Sequence, residues 1–502
     1  MQTKWIGENM KINSTNLRKI VLIYPPHWDT PMPPLSIAYI SAFLKSRGFD
    51  VQQIDLNNKF RYNHNLTNDD IDLEVKKIVS NDPDVIGISI GHTTFNYSIK
   101  LMKLIKKQIP DVFVVAGGSH ISYIGEKIIG DFPELFDIGV FSEGEETMLE
   151  ILQKKINGEK LNNINGTIFR KNNFEVIRNP PRKFSYSIED LPFPDFDDFP
   201  LHEYPLPMLP MLTARGCVKN CSFCGFIGSQ VSGRYRERSI ENIIDEIKRN
   251  IKQYKRKIFL FSDSLINSNP KRLTQLCDRI INERMEVYWF AQAFPNLTKD
   301  LCKKMYNAGC RFLWISPETG SPITVNKMNK GIDLDRAKVA IKNAKNAGIF
   351  TSAWFILGFP TETKDDVEMT ISYARELKRY IDEYSFVPFH LMIGSNIYQN
   401  PQLYNIKNIE SNRYEMFSSF QKEHKTISKF EIMKYSERLW DEFNLDSRFN
   451  FEIEKRIFFE RLGIGKKVLL KLFFPDHFDK KKKEYRYEDL FRKALRGTKC
   501  GC

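Results

Sequence analysis

From Lys19 onward the chain alternates short apolar runs with longer segments whose apolar residues recur every three or four positions. "KIVLIYPP" has the length and β-branched content of a buried strand, "PLSIAYISAFLKSRGF" has helical spacing and stops at Gly48, and "DVQQIDLN" is a second strand. The rhythm continues through "IDLEVKKIVSND", "DVIGISIG", "YSIKLMKLIKKQIP", "DVFVVAGGSH", "DIGVFSEGE" and "EETMLEILQKKI". Such alternation predicts an α/β fold: a parallel sheet with helices on both faces. Ligands of these sheets bind beyond the carboxyl ends of the strands. Ser89 and Gly91 follow from the third strand, Gly117 and Gly118 from the fourth, and glycines there let a bulky ligand approach the backbone closely. Tight turns use glycine in the same way.

Between about residues 161 and 209 the periodicity lapses and prolines crowd into "IRNPPRKF" and "DLPFPDFDDFPLHEYPLPMLP", the composition of an ordered linker or strap. The alternation then returns in "MLPMLTARG", "IENIIDEIKRNIKQY", "KIFLFSD", "PKRLTQLCDRIINER", "VYWFAQAF", "KDLCKKMYNAG", "RFLWISPETG", "DLDRAKVAIKNAKNAG" and "FTSAWFILGFP". Five or six further units predict a full or partial barrel with its active site at the carboxyl ends of the strands. Beyond about residue 400 the text turns helical, aromatic and charged. The expected organisation is an extension over 1–18, a first α/β domain over 19–160, a linker over 161–209, a barrel core over 210–400 and a mostly helical region over 401–502. No short fixed-period repeat interrupts it.

A chain of 502 residues is too long for one compact domain, which agrees with that division. Its apolar share of 42% is ordinary, no run of about 18 uncharged apolar residues is present, and "MQTKWIGENMKINSTNLRKI" lacks the apolar core of a secretory signal. A cytoplasmic protein is expected. The net charge of +13 is spread along the chain, the pattern of a well-solvated surface, and gives no reason to expect a nucleic-acid partner. "KKKK" at 480–483 follows the apolar "KKVLLKLFF". A packed helix with a basic loop fits that pairing best, and contact with a membrane surface is the competing reading.

Composition leaves the chemistry to the cysteines. Three of the eight, Cys217, Cys221 and Cys224, lie within "RGCVKNCSFCGF" at C-x3-C-x2-C spacing, where the first strand of the second half ends. In a reducing compartment a tight trio binds metal or does redox chemistry more readily than it forms disulfides. A structural zinc site takes four ligands, and the next candidates, His202 and Cys277, are far along the chain. Iron–sulfur clusters are held by cysteine thiolates, and three of them leave one iron open to another ligand.

"RGCVKNCSFCGF" resembles the signature of the radical S-adenosylmethionine enzymes. The resemblance implies that Cys217, Cys221 and Cys224 hold a [4Fe-4S] cluster whose remaining iron is chelated by S-adenosylmethionine, with Phe223 packing near the cofactor. "GRYRERSIENIIDEI", "IFLFSDSLIN", "ISPETGS", "NKGID" and "FILGFPTET" follow in the order usual for the cobalamin-binding branch, and "YPPHWDTPMPPLSIAYISAFLKSRGF", "VVAGGSH" and "VFSEGEET" resemble its N-terminal half. The similarity spans most of residues 19–400. It implies a Rossmann-like cobalamin-binding domain followed by a partial TIM barrel. The D-x-H-x-x-G frame of histidine-ligating cobalamin domains is absent from "PPHWDTPMPP", so His27 reads best as a surface or packing residue, with cobalt ligation as the competing reading.

Further residues have two readings each. Asp263 and Ser264 end the second barrel strand, where they would bind substrate or the amino group of S-adenosylmethionine, or simply cap a helix. Glu318 in "SPETGS" matches the acidic residue of G-x-E-S in relatives, implying a cofactor contact; Gly358 and Pro360 would shape the strand end near the adenine, and Glu362 would cap a helix. Cys302 and Cys310 read as buried structural cysteines, and Cys500 and Cys502 as part of a tail. The family resemblance implies formation of a 5′-deoxyadenosyl radical and methylation of an unactivated carbon in a natural-product, peptide or lipid substrate, with a reductant such as flavodoxin or ferredoxin. Radical rearrangement, cyclisation or oxidation with the same cofactors, or a sensor role without turnover, are the alternatives.

Overall fold

The computed structural model describes residues 19–26, 32–60, 68–183, 187–204, 206–225, 235–410, 414, 417–422 and 426–443. The chain divides into two compact units, one comprising residues 1–28, 36–184 and 192–198, the other 29–35, 185–191 and 199–502.

The first unit is built on a seven-stranded sheet: β1 (Lys19–Tyr24), β2 (Asp50–Asp55), β3 (Val85–Ser89), β4 (Phe113–Gly117), β5 (Ile138–Val140), β6 (Thr167–Arg170) and β7 (Val176–Arg178), in the order β2-β1-β3-β4-β5-β6-β7. Strands β1 to β5 are parallel, and β6 and β7 add antiparallel. Helices α1 (Leu35–Lys45), α2 (Leu56–Phe60), α3 (Asn68–Ser80), α4 (Phe95–Gln108), α5 (Ser119–Asp131) and α6 (Glu145–Ile156) make the crossovers. The strand order reverses between β1 and β3, which opens a crevice at their carboxyl ends. Helix α5 escapes the sequence rhythm because it carries Gly125 and Gly130. At Gly125 a side chain would collide with Ile168 of β6, so the glycine that weakens helical propensity lets the helix lie against the sheet.

Part of the segment expected to be a linker belongs to this unit. β6 and β7 come from it as a hairpin, and Asp195 and Asp198 accept the Lys45 ammonium at 2.7 and 3.2 Å. The Asp195 backbone N–H donates to the Ala38 carbonyl at 3.1 Å. Proline density marks where the chain cannot form ladders; it does not prevent a short hairpin nearby or side-chain anchoring of the rest.

Gly118 sets the spacing at the carboxyl edge. Ile90 N–H donates to the Gly117 carbonyl at 2.8 Å and His120 N–H to the Ile90 carbonyl at 3.1 Å, zipping the ends of β3 and β4 together. Gly118 has φ +98°, and a Cβ there would lie 2.6 Å from Ile90 O and 2.8 Å from Ile90 N. Both neighbours are backbone and cannot move aside. Gly118→Ala is therefore expected to cost about 2–4 kcal/mol from strain and overpacking. At Gly117 an added Cβ meets nothing nearer than 3.9 Å, so Gly117→Ala is the control. Equal urea midpoints for the two variants would contradict the argument.

The second unit holds a six-stranded parallel sheet of β8 (Met208–Met211), β11 (Ile258–Phe261), β12 (Tyr288–Ala293), β13 (Cys310–Ile315), β14 (Phe350–Leu357) and β15 (Glu383–Pro388), in the order β15-β14-β13-β12-β11-β8. A short ribbon of β9 (Ala214–Arg215) and β10 (Arg236–Glu237) interrupts it. Each strand pairs with its predecessor, and the intervening helices are α7 (Ile240–Tyr254), α8 (Pro270–Asn282), α9 (Lys299–Asn307), α10 (Pro322–Met328), α11 (Leu334–Asn346) and α12 (Lys364–Glu376). This is the topology of a six-unit partial barrel, with β15 as a sixth strand beyond the last one legible in the sequence. Ser239, Asn269, Thr298, Ser321, Asp333 and Thr363 cap successive helices by accepting from the first turn, which fixes the loops leaving the strand ends.

Alternate residues divide the sheet into two faces. Phe355 and Tyr384 lie on the helix side, Phe355 with its ring 6.4 Å from Tyr373 of α12 and Tyr384 donating its hydroxyl to the Ala374 carbonyl at 3.0 Å. On the other face Phe290, Phe312 and Phe350 stack at 5.6 and 5.0 Å, in one cluster with Met32, Leu206, Met208 and Ile258. They floor the barrel at its amino-terminal end.

The region after 400, expected to be mostly helical, differs in its described part. β17 (Ile406–Glu410) pairs antiparallel with β18 (Phe417–Lys422), which also pairs with β16 (Leu391–Met392); helix α13 (Asn396–Gln399) precedes the pair and α14 (Lys429–Glu442) follows it. Tertiary burial favours the strands, since Phe420 meets Phe389 edge-on at 5.7 Å within an aromatic cluster containing Phe359. Among the described residues no helix is long and apolar enough to cross a membrane. The basic run 480–483, Cys500, Cys502, His27 and the extension 1–18 lie outside the described residues.

Candidate functional site: a cysteine loop at the strand ends

The chain leaves β9 through Gly216, at φ +84°, and enters the cysteine loop, described here to Gly225. Backbone and side-chain hydrogen bonds fix that loop to the C-terminal end of α10 and to α13. Ser222 N–H donates to the Met328 carbonyl at 2.9 Å, Ser222 Oγ to the Lys327 carbonyl at 2.9 Å, and Asn329 Nδ2 to the Asn220 carbonyl at 3.0 Å. Ile397 N–H donates to the Ser222 carbonyl at 3.0 Å. Two apolar clusters grip the loop from either side: Cys217 packs with Leu265, Phe294, Val325 and Ile332, and Phe223 with Met328, Phe359, Leu391 and Ile397. Gly225 lies against Met392, leaving no room for a side chain.

Cys221 is buried, while Cys217 and Cys224 are half-buried. Burial pushes the Cys221 thiol up to about 12; the Lys330 charge pulls it down, and Cys224, Glu318 and Cys217 push it further up. At neutral pH the bare loop thus holds a protonated thiol, and metal binding would displace its proton. Among the described residues no three His, Cys, Asp or Glu side chains converge on one metal ion. A four-iron cluster takes each thiolate on a different iron, so a spread set of soft sulfur donors suits it.

Glu318 follows the fourth barrel strand in a left-handed conformation, φ +69°. A parallel bridge to Phe355 holds it there: Glu318 N–H donates to the Trp354 carbonyl at 3.3 Å, and Ile356 N–H to the Glu318 carbonyl at 2.7 Å. Its carboxylate pairs with Lys330, whose ammonium also donates to the Ser316 carbonyl at 3.1 Å. Both side chains are buried, at 9% and 6% exposure, so the pair holds its charges in low dielectric beside the cysteine loop. Sequence reasoning passed over Lys330, although it sits in "NKGID" just ahead of Gly331, itself at φ +71°.

The structure gives Asp263 an inward task. Its carboxylate accepts the N–H groups of Thr213 at 2.7 Å and Ala214 at 3.1 Å, together with the Thr213 hydroxyl. Arg272 reinforces the joint by donating to the Thr213 carbonyl at 2.6 Å. Burial raises the Asp263 carboxyl, and those hydrogen bonds and Arg272 oppose the shift. Asp263 thereby positions the chain entering the cysteine loop, while Ser264 beside it is half-buried. Gly358, at φ +79°, packs against Ile432 and donates its N–H to Glu362, which lies buried at the turn before α12; Pro360 is buried between them. In the first unit Ser89 and Gly117 end β3 and β4, Gly118 follows, and Gly91 N–H donates to Thr94 Oγ1 at 2.8 Å. Cys277, Cys302 and Cys310 are fully buried, and burial pushes all three thiols up, as inert core cysteines require.

The two halves match known families separately. Residues 211–374 match the radical SAM superfamily and residues 28–152 the B12 binding domain. An uncharacterized methyltransferase of Pyrococcus horikoshii is 31% identical over 370 residues, covering 72% of this chain and 78% of that protein. The anaerobic magnesium-protoporphyrin IX monomethyl ester cyclase of Rubrivivax gelatinosus is 27% identical over 359 residues, covering 68% of this chain and 62% of that protein. Among solved structures, the cobalamin-dependent S-adenosylmethionine radical enzyme OxsB superposes with a TM-score of 0.70 at 17% identity, covering 96% of this chain and 80% of that one. The fold and the cysteine loop define a radical SAM enzyme. The chain belongs to the branch of that superfamily in which a B12-binding domain precedes the radical SAM domain.

Proposed function

We propose that the protein is a cobalamin-dependent radical SAM methyltransferase acting on an unactivated carbon, with Cys217, Cys221 and Cys224 as the cluster ligands. The observation that carries this reading is the cysteine loop clamped at the strand ends beside the buried Glu318–Lys330 pair, in a chain that also has a B12-binding domain. When bound, the cluster would supply the electron for reductive cleavage of S-adenosylmethionine, and cobalamin would supply the methyl group. The chain's own residues bind and orient. Ser222 and Asn329 hold the loop rigid, Asp263 fixes its entry, and Phe223 covers one side with an apolar surface that keeps water from the cluster. Glu318, with Gly358 and Pro360 at the neighbouring strand end, would contact S-adenosylmethionine, while the carboxyl edge carrying Ser89, Gly91, Gly117 and Gly118 would receive cobalamin. A small one-electron donor of flavodoxin or ferredoxin type would supply the reducing equivalent.

The cyclase relative supports a second reading, radical cyclisation without methyl transfer. Products separate the two. Anaerobically reconstituted protein, loaded with cluster and cobalamin and reduced with S-adenosylmethionine, is expected to form 5′-deoxyadenosine and S-adenosylhomocysteine together when supplied with a methyl acceptor. Deoxyadenosine alone would favour the second reading, and neither product across a panel of acceptors would overturn both.

A further inference from the structure

Central strands of a parallel sheet are ordinarily buried on both faces. Here the face opposite the helices opens just above the aromatic floor. Moving up from Phe290, Phe312 and Phe350 by one alternation, the strand register aligns Gln292 with Trp314, Trp314 with Ser352, and Ser352 with Glu383, a row across four adjacent strands. Gln292 is exposed although β12 is interior, and Trp314 and Glu383 are half-buried. One further alternation up β14, Trp354 is 43% exposed.

That tryptophan is held in place without being covered. Its indole N–H donates to Ser352 Oγ at 3.2 Å, and Ser352 stands directly beside Glu383 in the strand register. That hydrogen bond fixes the ring edge, and the side chain stays exposed. Above it on the same face, Ile356 packs into the cluster that contains Phe223 of the cysteine loop. Two residues of strand separate Trp354 from Ile356, about 7 Å. The open layer is thus bounded by an aromatic floor below and by the cysteine loop's own packing above, within reach of chemistry done there.

We propose that this layer binds the substrate, and that the substrate is an aromatic or conjugated ring system carrying an amine or N–H donor. Trp354 is the stacking surface, since a flat ring is what an exposed indole face with a fixed edge recognises. Glu383 accepts the nitrogen donor, and Gln292 with Trp314 forms the opposite side of the layer. Burial raises the Glu383 carboxyl, and a cationic or N–H partner would relieve that cost where a carboxylate ligand would add to it. This inference rests on the radical SAM reading for the position of the reacting centre.

The test uses the full chain reconstituted with cluster and cobalamin, with S-adenosylmethionine present, and two probes of the same ring: tryptamine and indole-3-propionate. Tryptamine is expected to bind about tenfold tighter by equilibrium dialysis, and Glu383→Gln to erase that preference. Trp354→Ala should weaken both probes about tenfold or more, and Trp354→Phe should keep most of the affinity. Iron content and S-adenosylmethionine affinity are measured on every variant and are expected to stay within about threefold of the parent. A parallel loss of S-adenosylmethionine affinity in Trp354→Ala would assign the ring face to adenine and overturn the proposal. So would probe binding that ignores both substitutions, a preference for indole-3-propionate, or no saturable tryptamine binding. Failure of the parent protein to bind or cleave S-adenosylmethionine would instead refute the radical reading, and the probe data would show it separately.

Discussion

Cys221→Ala, like Cys217→Ala and Cys224→Ala, is expected to yield a folded protein that assembles no cluster. Iron and sulfide should fall from about four of each per reconstituted chain to background, and deoxyadenosine formation with them. The loop's geometry explains why no neighbour can substitute. Cys277, Cys302 and Cys310 are the other described cysteines, and all three are fully buried, the first two in α8 and α9 and the third at the start of β13. The fold itself should survive, because the loop is held by hydrogen bonds from the Ser222 backbone and hydroxyl and the Asn329 side-chain amide and by Phe223, none of which uses a thiol. A single buried Cys→Ala change costs on the order of 1 kcal/mol. Cys302→Ala is the matched control: it empties a comparable volume in the core and should retain full iron. Iron and sulfide at the parent level in any of the three loop variants would remove that residue from the ligand set.

Lys330→Met should have the largest effect on stability. It leaves the Glu318 carboxylate buried without its countercharge, a change that typically costs about 3–5 kcal/mol. The strain at Glu318 adds to the argument, because a left-handed non-glycine residue persists only while its surroundings fix it, and Lys330 is the side-chain half of that fixing. Lys330→Met combined with Glu318→Gln should recover most of the loss, since the variant then carries no orphaned charge. Denaturant unfolding of the cluster-free protein checks this, and Lys330→Met with parent-like stability would show that the pair is dispensable. S-adenosylmethionine affinity, measured on the reconstituted double variant, then reports what the Glu318 carboxylate does for the cofactor apart from what it does for the fold.

The sequence alone reached the cysteine loop, both α/β halves and the glycine-marked strand ends, and it did so for local reasons. Strand and helix periodicities are written into consecutive residues, and a C-x3-C-x2-C run is dense enough to be recognised without a fold. Its failures share a different cause. Helix α5 was hidden by its two glycines, one of which, Gly125, permits the approach to Ile168, a residue more than forty positions away. β6 and β7 were hidden just ahead of a proline-rich stretch, and β17 and β18 in a stretch of helical composition, because pairing partners and an aromatic cluster outweigh weak local preference.

The same division runs through the site. Covalent spacing determined which three thiols stand together, since neighbours in sequence are neighbours in space. Tertiary structure decided what surrounds them. Lys330 meets Glu318 only because α10 returns its end to the strand edge, and Asp263 proves to brace Thr213 and Ala214 fifty residues upstream. The row from Gln292 to Glu383 exists only across four strands in register. Long-range pairs of this kind depend on where the backbone goes after it folds, and burial then sets their energies; no single stretch of the chain contains either quantity.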